Sequence, residues 1–86
     1  MIYRVELTTA AARQVRKLPR PARDRVVEAI SGLQEEPRPP AAKKLVGEQT
    51  AWRLRVGDYR VIYDVFDGDL LVTVVRAAHR REVYDR

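Results

Sequence analysis

The chain is 86 residues long and 45% hydrophobic, and its 17 basic and 12 acidic residues give a net charge of +5. That length fits one domain, residues 1–86, with a thin core, and that apolar content argues against disorder. No apolar run approaches the ~18 residues that span a bilayer, the start MIYRVELTT lacks a signal-peptide core, and the lack of cysteine excludes a disulfide framework and a thiolate metal site. One histidine and scattered acids offer no metal-ligand spacing, so neither a metal nor another cofactor is expected. A cytoplasmic protein is the simplest reading. Fourteen of the cations are Arg and three are Lys. Arg suits bidentate phosphate contacts and base stacking, but a high-GC genome produces the same ratio through codon usage.

Ile2 to Leu7 alternates, with Tyr3, Val5 and Leu7 on one face, as a half-buried strand does. Thr8 or Thr9 then caps a helix whose apolar stripe is Ala11, Val15 and Leu18, and Pro19 stops it. Pro21 suits the first turn of a second helix, with Ala22, Val26, Ile30 and Leu33 inward and Ala29 alongside. Glu36-Pro37 ends it. Residues 38–50 read as irregular, with Ala42 to Leu45 either a helical turn or an extended stretch. Lys43 and Lys44 are the only lysine pair, either a solvated loop or a phosphate contact.

Three strand-like runs follow, and the rest of the chain reads as their support. In Ala51–Val56, Trp52, Leu54 and Val56 share one face, and Arg53 and Arg55 share the other. Gly57-Asp58 is a two-residue hairpin signal, with glycine first as a type II′ turn prefers. In Tyr59–Phe66, Tyr59, Val61, Tyr63 and Val65 oppose Arg60, Ile62 and Asp64. Asp67-Gly68 is a second hairpin signal. Leu70–Ala77 is almost wholly apolar, as a central strand is. The order β-α-α-β-β-β predicts an α+β fold: a small, mainly antiparallel sheet with two N-terminal helices on one face and the other face partly open.

A two-residue turn at Gly57-Asp58 sets Arg55 directly opposite Arg60. Like charges so placed destabilise a sheet unless an anion lies between them. Arg53, Arg55 and Arg60 thus form a candidate phosphate cradle, which Asp64 would partly neutralise. Cleaving RNA by internal attack needs a base for the 2′-hydroxyl, charge stabilisation for the phosphorane, and an acid for the 5′-oxygen. Arginine suits the middle task and is a poor base. His79, Tyr84 and a carboxylate such as Glu82 are the candidates for proton transfer, with a surface histidine and an aromatic lid as the plainer readings of the first two. Lys43, Lys44 and Arg76 are candidate RNA-binding positions.

The element order, E-x-P (Glu35, Pro37), K-L-x-G (Lys44, Leu45, Gly47), W-R-L-R-x-G-D-Y-R-V-I-Y (Trp52 to Tyr63) and H-R-R-E-V-Y (His79 to Tyr84) together resemble the RelE/ParE superfamily of small toxins from type II toxin–antitoxin modules. The similarity covers essentially the whole chain and is greater to the RelE branch. It implies the RelE-like microbial RNase fold and a ribosome-dependent endoribonuclease that cuts mRNA in the A site without metal. Carried over by position, the site comprises Arg53 and Arg55, Arg60, Arg80 (with Arg81 as the register alternative) and Tyr84. The best-known members carry lysines where this chain has Arg53 and Arg55, which shifts the expected proton transfer to His79 or Tyr84. The resemblance also implies a cognate antitoxin, RelB-like or other, wrapped round the toxin in an oligomeric complex that binds DNA through the antitoxin. Two alternatives stand beside this: a ParE-type poison of DNA gyrase without nuclease activity, and a basic interaction module without toxicity.

Overall fold

In the computed structural model, which describes residues 2–82, the chain runs β1 (Arg4–Leu7), α1 (Thr9–Arg16), α2 (Arg20–Gly32), β2 (Ala42–Lys44), β3 (Ala51–Val56), β4 (Tyr59–Phe66), a 3-10 turn (Asp67–Asp69) and β5 (Leu71–His79). The strands form one sheet in the order β1-β5-β4-β3-β2. β1 lies parallel to β5, and every other pairing is antiparallel. This is the expected α+β arrangement with one added edge strand. Among the described residues, no helix is long and apolar enough to cross a membrane.

Local chemistry sets the helices. The Thr8 hydroxyl accepts the Ala11 N–H at 3.1 Å and so satisfies a first-turn donor of α1. Ala11 and Val15 are buried one turn apart, and Leu18 packs behind them. Pro19 caps α2 and Pro21 sits in its first turn, where a missing N–H costs nothing. Val26, Ile30 and Leu33 then repeat at helical spacing and are all buried. These residues meet Leu54, Val61, Tyr63, Val65, Val72 and Val74 from the sheet in one core. Both helices therefore cover the same face.

The Gly57-Asp58 turn has the expected register, pairing Val56 with Tyr59 and Arg55 with Arg60. Gly57 has φ +60 and Asp58 keeps a negative φ, the pattern of a type II′ turn. The second turn differs from the expected hairpin. Asp67–Asp69 forms a 3-10 turn, and the left-handed residue is Leu70 (φ 49) instead of Gly68. Phe66 then pairs with Leu71 across a four-residue loop.

A network of side chains fixes this loop and the proline segment. Asp67 accepts from the Arg38 guanidinium at 2.7 Å and from the Tyr3 hydroxyl at 2.6 Å. Arg38 also stands 5.5 Å over the Trp52 ring. The Tyr63 hydroxyl donates to the Pro37 carbonyl at 2.8 Å. These contacts hold residues 37–41 against the end of the sheet and lead the chain into β2.

β5 contains a bulge. Ile62 pairs with Arg76 but Tyr63 pairs with Val74, which leaves Val75 as the extra residue. The bulge shifts the alternation by one. Val72 and Val74 face the helices before it, and Ala77 does so after it. Arg76 and Ala78 are thereby set on the helix-free face beside Ile62 and Arg60.

Candidate nucleic-acid interface

The helix-free face has an apolar floor and a basic rim. Leu45, Ala51, Ile62 and Ala78, with Val75 beside them, form a small second cluster there. Around it the pairings Lys43 with Arg53 and Arg55 with Arg60 put four cations on one side of the sheet. Lys43, Arg53, Arg55 and Arg60 together with Ala41 line a hollow of about 100 Å³. Their long apolar stems can lie along the floor while the charged heads reach solvent. Asp64 shares this face and accepts the Thr50 hydroxyl at 2.9 Å.

Sequence counting identified Arg53, Arg55 and Arg60 as neighbours, and the structure brings them together. The place of Lys43 was open in the sequence. Its pairing with Arg53 settles it, because directly opposed residues of an antiparallel pair share a face. Lys44 is separated from that group. It opposes Trp52, and its Nζ donates to the Gln49 carbonyl at 2.9 Å, closing the β2–β3 loop.

The terminal basic cluster divides. The Arg80 N–H donates to the Asp58 carbonyl at 2.8 Å, which extends the β4–β5 ladder by one residue beyond the Tyr59–His79 pair. Arg80 thereby follows Ala78 in the alternation, on the side of Arg60. His79 falls on the opposite side. Its ring meets Tyr59 edge-on at 5.4 Å, and Tyr59 packs on the helix-covered core. The His79 Nδ1 accepts the Arg81 N–H at 3.2 Å and its carbonyl accepts the Glu82 N–H at 2.7 Å. The histidine thus anchors the turn that carries Arg80 and Arg81, and its ring lies away from the arginine hollow. Arg76 reaches the Glu82 carbonyl at 2.6 Å. It lines a separate depression with Gln14 and Lys17, where Gln14 caps the Ala77 N–H at 2.8 Å. Tyr84 lies outside the described residues.

Sequence reading overlooked Arg38. It treated that residue as part of an irregular loop, and no local pattern links it to Asp67, 29 positions away. Its charge has a clear electrostatic effect. The Arg38 guanidinium, seconded by the Tyr3 hydroxyl, holds the Asp67 carboxyl below the usual carboxylate range. The hydrogen bond to the Asp67 carboxylate raises Tyr3 above the ordinary phenol value, and Arg38 opposes that shift. Burial pushes the Tyr63 phenol up to about 12. These shifts belong to the frame around the proline segment. Among the described residues, no three His, Asp or Glu side chains gather as a metal site.

The sequence pattern of the family described as "ParE toxin of type II toxin-antitoxin system, parDE" matches residues 5–84. Toxin RelG of Mycobacterium tuberculosis is 37% identical over 90 residues, covering 100% of both chains. Among solved structures, the toxin–antitoxin complex RelBE2 from Mycobacterium tuberculosis gives a TM-score of 0.82 at 34% identity, covering 95% of each chain. The archaeal RelE–RelB complex from Pyrococcus horikoshii OT3 gives 0.83 at 31% identity, covering 96% of this chain and 100% of that one.

Proposed function

Because this chain belongs to the RelE/ParE superfamily of type II toxin–antitoxin toxins, in its RelE-like branch, we propose that it is a ribosome-dependent endoribonuclease that cuts mRNA in the ribosomal A site without a metal. The observation that carries this reading is the direct opposition of Arg55 and Arg60 on the helix-free face, with Lys43 and Arg53 around the same hollow. Such a pairing is stabilised when an anion bridges it. A phosphodiester supplies the anion, and the guanidinium fork matches its oxygens in bidentate fashion.

The chemistry is internal transesterification. The 2′-oxygen attacks phosphorus, the P–O5′ bond breaks, and a 2′,3′-cyclic phosphate and a 5′-hydroxyl result. One proton leaves the 2′-hydroxyl and one arrives on the 5′-oxygen. Arg53, Arg55 and Arg60 neutralise the charge that builds on the non-bridging oxygens, the task for which fixed cations in a dry site are most effective. Arg80 approaches from the end of β5. Arginine keeps its proton at any working pH, so proton transfer falls to another group. His79 faces Tyr59 across the sheet from the cradle, which favours Tyr84 or a group of the ribosome or the RNA. Lys43 extends the cradle along the RNA, and binding to the ribosome supplies the rest of the substrate's alignment.

The solved relatives named above are complexes with RelB-type antitoxins. By the same likeness this chain is held inactive in the cytoplasm by a cognate antitoxin, in an oligomer that binds DNA through that partner. Its net charge of +5 favours an acidic one. The ParE description of the matching family favours a second reading, a DNA gyrase poison that needs no cleavage chemistry. Expression without antitoxin, followed by mapping of mRNA ends in translating lysate, separates the two. Codon-aligned, ribosome-dependent cuts are expected. Intact messages together with accumulating double-strand DNA breaks would establish the gyrase reading instead.

A further inference from the structure

Arg25 belongs to α2, on the far layer from the arginine hollow, yet its guanidinium is seated on the β3–β4 turn. A Cβ built on Gly57 would stand 2.7 Å from Nη2, 3.4 Å from Cζ and 3.8 Å from Nη1 of Arg25. The guanidinium thus lies directly against the turn backbone at Gly57. Among the described residues no carboxylate lies within 4 Å of it, the ion pairs there being Arg4–Glu6 and Arg38–Asp67. Asp58, the acid of the turn itself, is exposed and makes neither pair.

The position of that turn gives the arrangement its meaning. It closes the hairpin one pair beyond Arg55 and Arg60, and the Asp58 carbonyl takes the Arg80 N–H. Cations from α2, β3, β4 and the end of β5 thus converge on one end of the sheet.

We propose that Arg25 is a phosphate-binding residue. Held over the Gly57–Asp58 turn, it takes the phosphodiester next along the strand from the one held by Arg55 and Arg60, so that single-stranded RNA bends round the hairpin tip from the open face toward the helix face. The proposal rests on the reading of the open face as an RNA-phosphate site and adds a second contact to it.

The test is the salt dependence of binding to a 2′-O-methylated single-stranded oligoribonucleotide, which resists 2′-attack, followed by fluorescence anisotropy with the full chain. On a single strand each phosphate contact contributes about 0.7 to the slope of log K against log salt. Arg25→Ala is expected to lower the slope by about that amount and to weaken binding about fivefold at 0.1 M salt, with the loss vanishing toward 1 M. Arg25→Lys should keep the slope. Arg23→Ala removes the same charge from the same helix, and its Nη1 is engaged with the Arg16 carbonyl at 3.3 Å, so it should change neither quantity. A wild-type slope in Arg25→Ala, or equal losses in Arg23→Ala and Arg25→Ala, overturns the proposal. If Arg60→Ala weakens binding while Arg25→Ala does not, this inference fails and the cradle stands. If the wild-type chain shows no salt-dependent binding at all, this inference fails, while the cleavage reading is decided separately by the mapping of mRNA ends in translating lysate. Circular dichroism of each variant checks that the fold is intact.

Discussion

Replacing Tyr63 with phenylalanine removes one oxygen from the middle of the structure and nothing else. The side chain is fully buried, and its hydroxyl donates to the Pro37 carbonyl at 2.8 Å, joining β4 to the proline segment. The ring stays, so no cavity is created and the hydrogen bond is what is lost. Such a bond contributes a net ~0.5–1.5 kcal/mol, and leaving its partner buried and unpaired costs about 1–3. Pro37 is only half-buried, so its carbonyl can regain some water. The expected loss is about 1–2 kcal/mol. For a chain of this size that corresponds to a fall in Tm of about 5–10 °C at pH 7, read by circular dichroism. Alkaline pH supplies an independent readout. Burial raises the folded-state pKa of this phenol to about 12, above its unfolded value near ~10. A raised pKa means the contribution is complete below pH ~10 and is lost as pH climbs toward about 12. Phenylalanine cannot ionise, so the gap between wild type and variant should narrow across that window. A Tm within about 1 °C of wild type at pH 7, or a gap that stays constant from about pH 9 to 12, would refute the assigned role of the hydroxyl.

Other outcomes follow from the same structure. Arg60→Ala should lower codon-aligned cleavage by folded protein about 10–100-fold in the translating lysate, the equivalent of one charge-assisted hydrogen bond of ~1.5–3 kcal/mol. Full cleavage by this variant would remove Arg60 from the site. Gly57→Ala forces a side chain into a φ of +60 and onto the Arg25 guanidinium, for an expected loss of about 1–2 kcal/mol in chemical denaturation. Asp67→Asn should lower Tm near neutral pH. The Asp67 pKa is depressed in the fold, so its contribution is present above the unfolded value of ~3.9 and disappears as pH falls through the folded value. The two melting curves should therefore converge in acid, and a constant separation would dismiss the Arg38–Asp67 contact as a source of stability.

What could be read from the sequence was whatever local rules decide. A threonine cap at Thr8 or Thr9, the Val26-Ile30-Leu33 stripe and the Arg55–Arg60 opposition each follow from spacing within a few residues, and all three are present, with Thr8 as the cap. What escaped depends on distant partners. Ala42–Lys44 is a strand only because β3 offers it an edge, so its own residues left helix and strand equally open. The bulge at Val75 sits inside an apolar run with no alternation to disturb, and it decides the faces of Arg76 and His79. Period-two counting through an unbulged β5 would put His79 beside the arginines. The left-handed position at Leu70 defied the expectation from Asp67-Gly68, because a four-residue loop places its positive φ later than a two-residue turn does. Within the candidate site the arginine set was legible, and the membership of Lys43 and the seat of Arg25 needed the tertiary structure.

The parallel pairing of Arg4–Leu7 with Leu71–Val74 also governs the order in which the protein can assemble. The earliest strand to be made waits for the last, and the loop they close contains nearly everything else. Closing it costs entropy that local contacts do not repay until β5 docks. The two helices and the β3–β4 hairpin can each begin to form alone, but the helices have only half of their floor until Val72 and Val74 arrive beside Val61 and Tyr63. Folding is therefore gated by the final strand. A nascent chain that ends before Leu71 would leave the helix stripes without Val72 and Val74 and would contain neither β5 nor Arg80. The same segment that completes the core completes the basic end of the sheet, so a half-made copy has neither.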